Sequence, residues 1–118
     1  MNGLTLLGVL LQAVWAGEFI DRAEKEPWLT VHEIGGFVVV VLALATLGAA
    51  VLVRNSAIIA GAAGLLVLIV FQTALGEAIT KAGADGLIVA HVPIAMLIFG
   101  LGVYLSSAGA RLRRSLPG

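Results

Sequence analysis

Cysteine is absent from the 118 residues, which excludes disulfides, thiolate metal ligands and covalent attachment of a prosthetic group through Cys. Charge is nearly as scarce. Asp, Glu, Lys and Arg make up 12% of the chain, seven acids against seven bases. That balance carries no information about partners, and nucleic acid is not expected among them. The charges gather in short segments instead of recurring at every helical turn, so amphipathic helices of a soluble domain are excluded. Aromatic residues are 6%, and only three prolines and two histidines occur.

What is present is apolar: 60% of residues are hydrophobic and the mean hydropathy is +1.09, outside the range of soluble domains. The apolar runs are each about 18 to 25 residues long, the length a helix needs to cross a bilayer. They lack the alternation of a membrane barrel. Four spans follow, at about 4–20, 27–53, 56–79 and 86–107, in a single transmembrane domain covering residues 1–118. The first span ends in small residues at Ala13-Val14-Trp15-Ala16-Gly17, as a signal peptide would. It has no basic n-region, however, and the third span mirrors it. The expected fold is all-α, an integral membrane four-helix bundle.

The connections are short. Asp21 to Glu26 is a mostly acidic loop, with Glu26 as a cap, Pro27 suited to the first helical turn and Trp28 as an interfacial anchor. Arg54-Asn55-Ser56 reads as a tight turn that makes the second and third spans antiparallel neighbours. Gly61 and Gly64 permit close helix approach. Asp85 is a candidate N-cap for the fourth span; Pro93 within that span frees the carbonyl near Val89. Arg54, Arg111, Arg113 and Arg114 fall on one side, against Arg22, Lys25 and Lys81 on the other. All acids, Glu18, Asp21, Glu24, Glu26, Glu33, Glu77 and Asp85, share the second side. The positive-inside rule then places both termini in the cytoplasm and the acidic loops outside a plasma membrane.

An internal repeat organises the whole. Gly17-Glu18 and Gly76-Glu77 each end an apolar run, Arg22 and Lys81 follow four residues after the Glu, and His32 and His91 follow fourteen residues after it. The repeat units are 1–55 and 56–118, two tandem helical hairpins entering the membrane in the same direction. Such units are related by a pseudo-two-fold axis along the membrane normal. Counting Glu26 and Asp85 as caps, each histidine is the sixth residue of its helix, about 9 Å below the outer helix ends at 1.5 Å per residue. Two imidazoles at one depth could hold a planar group whose metal takes both, and haem fits that description. Gly35 and Gly36, one turn below His32, and Ala95, one turn below His91, lack bulk that would fill the space. Gln12 and Gln72 are polar groups inside apolar spans and need partners within the bundle, either the cofactor and its imidazoles or, more plainly, each other. A bare zinc ion would be short of ligands unless Glu33 turned inward. Glu18 and Glu77 read as solvated acids at the outer interface, and Trp15 and Trp28 as belt residues.

Phe71-Gln72-Thr73-Ala74-Leu75-Gly76 followed by Ile88-Val89-Ala90-His91 resembles one four-helix half of haem A synthase. That family carries histidines on the second and fourth helices of each bundle and Gln-x-x-x-Gly segments on the odd ones. His32-Glu33-Ile34-Gly35 also resembles the His-x-x-Gly second span of short four-span bacterial membrane proteins of unknown function. The resemblance implies that His32 and His91 stand at haem-ligand positions. The enzyme has a Glu three residues before a histidine and an Arg directly after it; Leu29 and Glu33 stand in those places here, so the oxygenase activity is not carried over.

The chain is thus read as a minimal b-type membrane cytochrome with one haem on His32 and His91 near the outer face, serving electron transfer or haem handling, an electron-transfer or haem-binding protein sooner than an enzyme. Its expected partners are the lipid bilayer and haem, with a redox partner and a homo-oligomer left open. One alternative is a compact haem A synthase-like enzyme acting on haem. Another is a structural or interaction subunit whose histidines only bond neighbouring helices.

Overall fold

In the computed structural model the chain forms four long helices: α1 (Asn2–Asp21), α2 (Glu26–Val53), α3 (Ser56–Ala82) and α4 (Ile88–Ser115), with a 3-10 turn at Asp85–Leu87 leading into α4. Residues 1–21 and 23–115 are described, without the side chains of Phe19 and Asp21. Arg22 and the Asp21 carboxylate, counted above in the repeat and the charge pattern, therefore lie outside the described residues.

Each helix packs against its neighbours in sequence, and α1 closes the ring against α4, while the backbones of the diagonal pairs stay apart. The result is an up-down-up-down bundle of 56 × 21 × 20 Å. α2, α3 and the Asp85–Ser115 segment are long and apolar enough to cross a membrane. Apolar side chains also face outward along the bundle, among them Val41, Leu52, Val67, Val89 and Met96.

The helix ends follow local chemistry. After α2, Arg54 takes left-handed backbone at φ 56° and its amide returns to the Val51 carbonyl. Asn55 then caps α3, its side-chain oxygen accepting from the Ile58 amide at 3.1 Å. The tight turn expected at Arg54-Asn55-Ser56 is therefore present. Two expected caps are not. Glu26 is the first residue of α2, and Lys25 precedes it in helical backbone without a side-chain cap bond; Pro27 lacks an N–H, so one orphan donor of the first turn disappears without any cap. Asp85 opens the 3-10 turn instead of capping α4, because the chain tightens early, the Leu87 amide donating to the Ala84 carbonyl at 2.9 Å. His32 is consequently the seventh residue from Glu26, and His91 the seventh from Asp85. The 3-10 rise of about 2.0 Å against 1.5 Å sets His91 roughly 1.5 Å further along its segment.

A narrow stripe of each helix is buried. On α2 it is Gly35, Val39, Ala43, Thr46 and Ala50; on α4 it is Ile98, Gly102 and Leu105. Val39, Ala43 and Thr46 precede Ile98, Gly102 and Leu105 by 59 residues each, the same interval that separates the histidines. On the odd helices the most buried large side chains are Thr5 and Leu65, at 1% exposure each, 60 residues apart. Backbones approach closely where glycine permits: a Cβ on Gly61 would lie 2.6 Å from Leu105 Cδ2, and one on Gly102 would lie 2.7 Å from Leu6 Cδ2. Polar bonds pin the end of the bundle away from the histidines. The Thr5 and Thr46 hydroxyls meet at 2.9 Å. The Asn2 amide donates to the Gly102 carbonyl at 2.7 Å and to the Ser106 hydroxyl at 2.7 Å.

Candidate functional site

The ring order places His32 and His91 on diagonal helices, α2 and α4, at the end of the bundle formed by the C-termini of α1 and α3 and the N-termini of α2 and α4. Each histidine is held against the odd helix that precedes it. His32 Nδ1 lies 3.0 Å from the backbone oxygen of Gln12 on α1. A carbonyl only accepts, so Nδ1 carries the proton and the lone pair of the ring resides on Nε2. That is the tautomer in which a histidine ligates through Nε2, with its other nitrogen oriented by a backbone oxygen.

The second pair uses the same residue types and different atoms. Gln72 Nε2 on α3 donates to the backbone oxygen of His91 at 2.7 Å, while His91 Nδ1 is buried without a hydrogen-bond partner. The imidazole edge rests over Gly76, where a Cβ would stand 3.4 Å from His91 Cε1. Gln12 Nε2 and Gln72 Oε1 are likewise buried without partners. Three of the four residues in the two Gln–His pairs therefore hold an unused buried polar atom. Such atoms are uncommon, because each forfeits solvation without replacement, and all the more so in an apolar surround.

The expected mutual bond between Gln12 and Gln72 does not form. α1 and α3 are diagonal and their backbones stay apart; the Gln12 amide lies over Gly35 of α2 and Gln72 reaches the His91 backbone on α4. Gly35 is buried, and a Cβ there would collide with Gln12 Nε2 and the Trp15 ring, so the missing side chain admits α1. Gly36 faces α3, where a Cβ would lie 3.8 Å from Thr73 Cγ2. Ala95 is half-buried on α4. Glu77 pairs with Lys81 one turn on, so that acid is engaged at the bundle end. Among the described residues no three His, Cys, Asp or Glu side chains converge as a metal site. Two imidazoles suffice only where a cofactor supplies the remaining ligands, as a porphyrin does.

Trp15, Thr73 and Gly76 were not singled out as site residues from the sequence. Trp15 stands three residues after Gln12 and Gly76 four after Gln72, the spacings that share a helix face, and those intervals are the signal that would have found them. An apolar groove on the outer face of α1 and α2, lined by Leu4, Leu7, Leu11, Trp15 and Val38 among others, includes neither histidine. Compared with known protein families, with curated proteins and with solved structures, the chain matches none.

Proposed function

We propose that the two Gln–His pairs hold one b-type haem between α2 and α4 and that the protein is a minimal membrane cytochrome, serving electron transfer or haem handling. The observation that carries the reading is the set of buried polar atoms left unused at one end of the bundle, Gln12 Nε2, Gln72 Oε1 and His91 Nδ1, beside a His32 already in the ligating tautomer. The donor set fits the group: two imidazoles on diagonal helices, no cysteine in the chain, and among the described residues no cluster of three His, Asp or Glu side chains to favour a bare metal.

The bound haem would supply reversible one-electron chemistry. The chain's part is to bind, orient and exclude water. The Gln12 carbonyl fixes the His32 ring and raises its basicity through Nδ1–H. Gln72 anchors the His91 backbone, and Gly76 lets the ring lie against α3. Gln12 Nε2 has donors to offer a carboxylate, and Gln72 Oε1 accepts. Trp15 seals the α1–α2 seam over Gly35, leaving Gly36 and Ala95 as the small positions beside the histidines.

The same proposal takes the protein as four spans built from two tandem hairpins about a pseudo-two-fold axis along the membrane normal. The coincidence of the buried stripes on α2 and α4 under one 59-residue shift supports this. α1, at 20 residues, is about 30 Å long and matches the hydrocarbon core. The Arg54, Arg111, Arg113 and Arg114 end then lies in the cytoplasm with both termini.

The test is a reduced-minus-oxidised difference spectrum of the purified protein. A Soret band and a sharp alpha band on reduction are expected, and His32→Ala or His91→Ala abolishes the low-spin spectrum. A protein that takes up no haem on expression or reconstitution overturns the reading. The bond from His32 Nδ1 to the Gln12 carbonyl favours a second reading, a structural subunit whose histidines only bond neighbouring helices. Unchanged stability and assembly after joint His32→Leu and His91→Leu replacement would argue against it.

A further inference from the structure

We propose that the two histidine ligands are unequal, and that His91 is an exchangeable ligand which gives way to a small neutral diatomic molecule while His32 stays bound. The inference rests on the haem reading above and adds a ligand-binding function to the same site.

Three observations separate the histidines. His32 Nδ1 is tied to the Gln12 carbonyl, whereas His91 Nδ1 has no partner, so one ring is oriented by its own hydrogen bond and the other is not. Their segments also differ in seating. Around His32, Trp28, Leu29 and Glu33 are half-buried and Gly35 is buried; between Asp85 and Pro93 every residue except His91 is exposed. That stretch meets α3 through its 3-10 turn, and beyond the turn through His91 and the Gln72 bond to its backbone. Finally, the stretch begins with a 3-10 turn and reaches Pro93, which removes the helix bond to the Val89 carbonyl. Few buried contacts and a missing backbone bond are the marks of a segment that opens at low cost.

In the exchange the iron–nitrogen bond to His91 breaks and a bond from iron to the incoming ligand forms. The iron remains ferrous, the imidazole leaves neutral, and no proton or electron moves. Release of His91 carries few buried side chains with it, because its neighbours in the segment are exposed.

The experiment uses the full chain with haem in nanodiscs, reduced by dithionite and titrated with carbon monoxide while the Soret band is followed. The wild-type protein is expected to convert fully to the carbonyl form. Gln72→Leu, which removes the anchor of His91, raises the affinity for carbon monoxide at least ten-fold. Thr46→Val, at the opposite end of the bundle, leaves that affinity within two-fold and so controls for general loosening. The iron–carbon stretch of the His91→Ala adduct matches wild type, since His32 stands opposite carbon monoxide in both. A haem-loaded protein inert to saturating carbon monoxide overturns the inference alone, as does a Gln72→Leu affinity within two-fold of wild type, or an adduct matched by His32→Ala and not by His91→Ala. A wild-type protein with no low-spin haem spectrum before any gas is added overturns the underlying reading and the inference with it.

Discussion

Replacing Thr46 by Val removes one hydroxyl from the bond with Thr5, at 2.9 Å, where Thr5 is 1% and Thr46 6% exposed. Val has nearly the same shape, so packing is conserved and the perturbation is close to purely polar. The hydroxyl left on Thr5 loses its partner in a site water does not reach, a loss of about 1–3 kcal/mol in a soluble core. For the membrane placement proposed above, the figure falls to about 0.6–1.7 kcal/mol, because hydroxyls find other acceptors. Thr5 has such an acceptor one turn back on its own helix, at the Met1 carbonyl. The single variant should therefore cost about 1 kcal/mol, a factor of roughly five in the unfolding equilibrium. Thr5→Val should cost the same, and the double variant should return to within about 0.5 kcal/mol of wild type, since no orphan remains. Reversible unfolding in mixed micelles, followed by tryptophan fluorescence, measures all four corners of the cycle. A double variant that loses the sum of the two single losses would refute the reasoning, because the hydroxyls would then be acting independently.

Gly35→Ala should pry α1 from α2, since its Cβ would strike Gln12 and Trp15; an overpacking loss of about 1–3 kcal/mol is expected, with a shift in tryptophan emission as the readout. The two left-handed residues make an opposed pair. Gly83, at φ 65°, should lose about 1 kcal/mol on replacement by Ala, whereas Arg54→Gly, at φ 56°, should gain up to about 1 kcal/mol. Thermal midpoints of the two variants that move in the same direction would contradict this account.

Helix number, order and approximate ends were legible because length and apolarity alone decide them, and the Arg54-Asn55-Ser56 turn was legible because its side-chain chemistry is local. The inward face was harder. Val39 and Val41 lie two residues apart in one valine run, yet the first is buried and the second exposed. With apolar residues on every side, periodicity does not mark which face turns in. The same limit misassigned the glutamines: Gln12 and Gln72 needed partners, but the diagonal placement of α1 and α3 is a tertiary fact. It also misassigned Glu26 and Asp85 as caps, where proline and an early 3-10 turn settled the backbone without them. The histidines stood out because they are the only two in the chain and each follows the repeated Gly-Glu pair by fourteen residues.

The bonds from Asn2 to Gly102 and Ser106 join residues 100 and 104 apart in sequence. In a chain made at about 5–20 residues per second, Asn2 exists roughly 5 to 20 seconds before its partners do. Until then the inner face of α1 has α2 on one side and nothing of its own chain on the other. α4 is the helix that completes the packing of α1, so the bundle has no finished half until α4 is made, and an arrest before Gly102 would leave an open trough along α1.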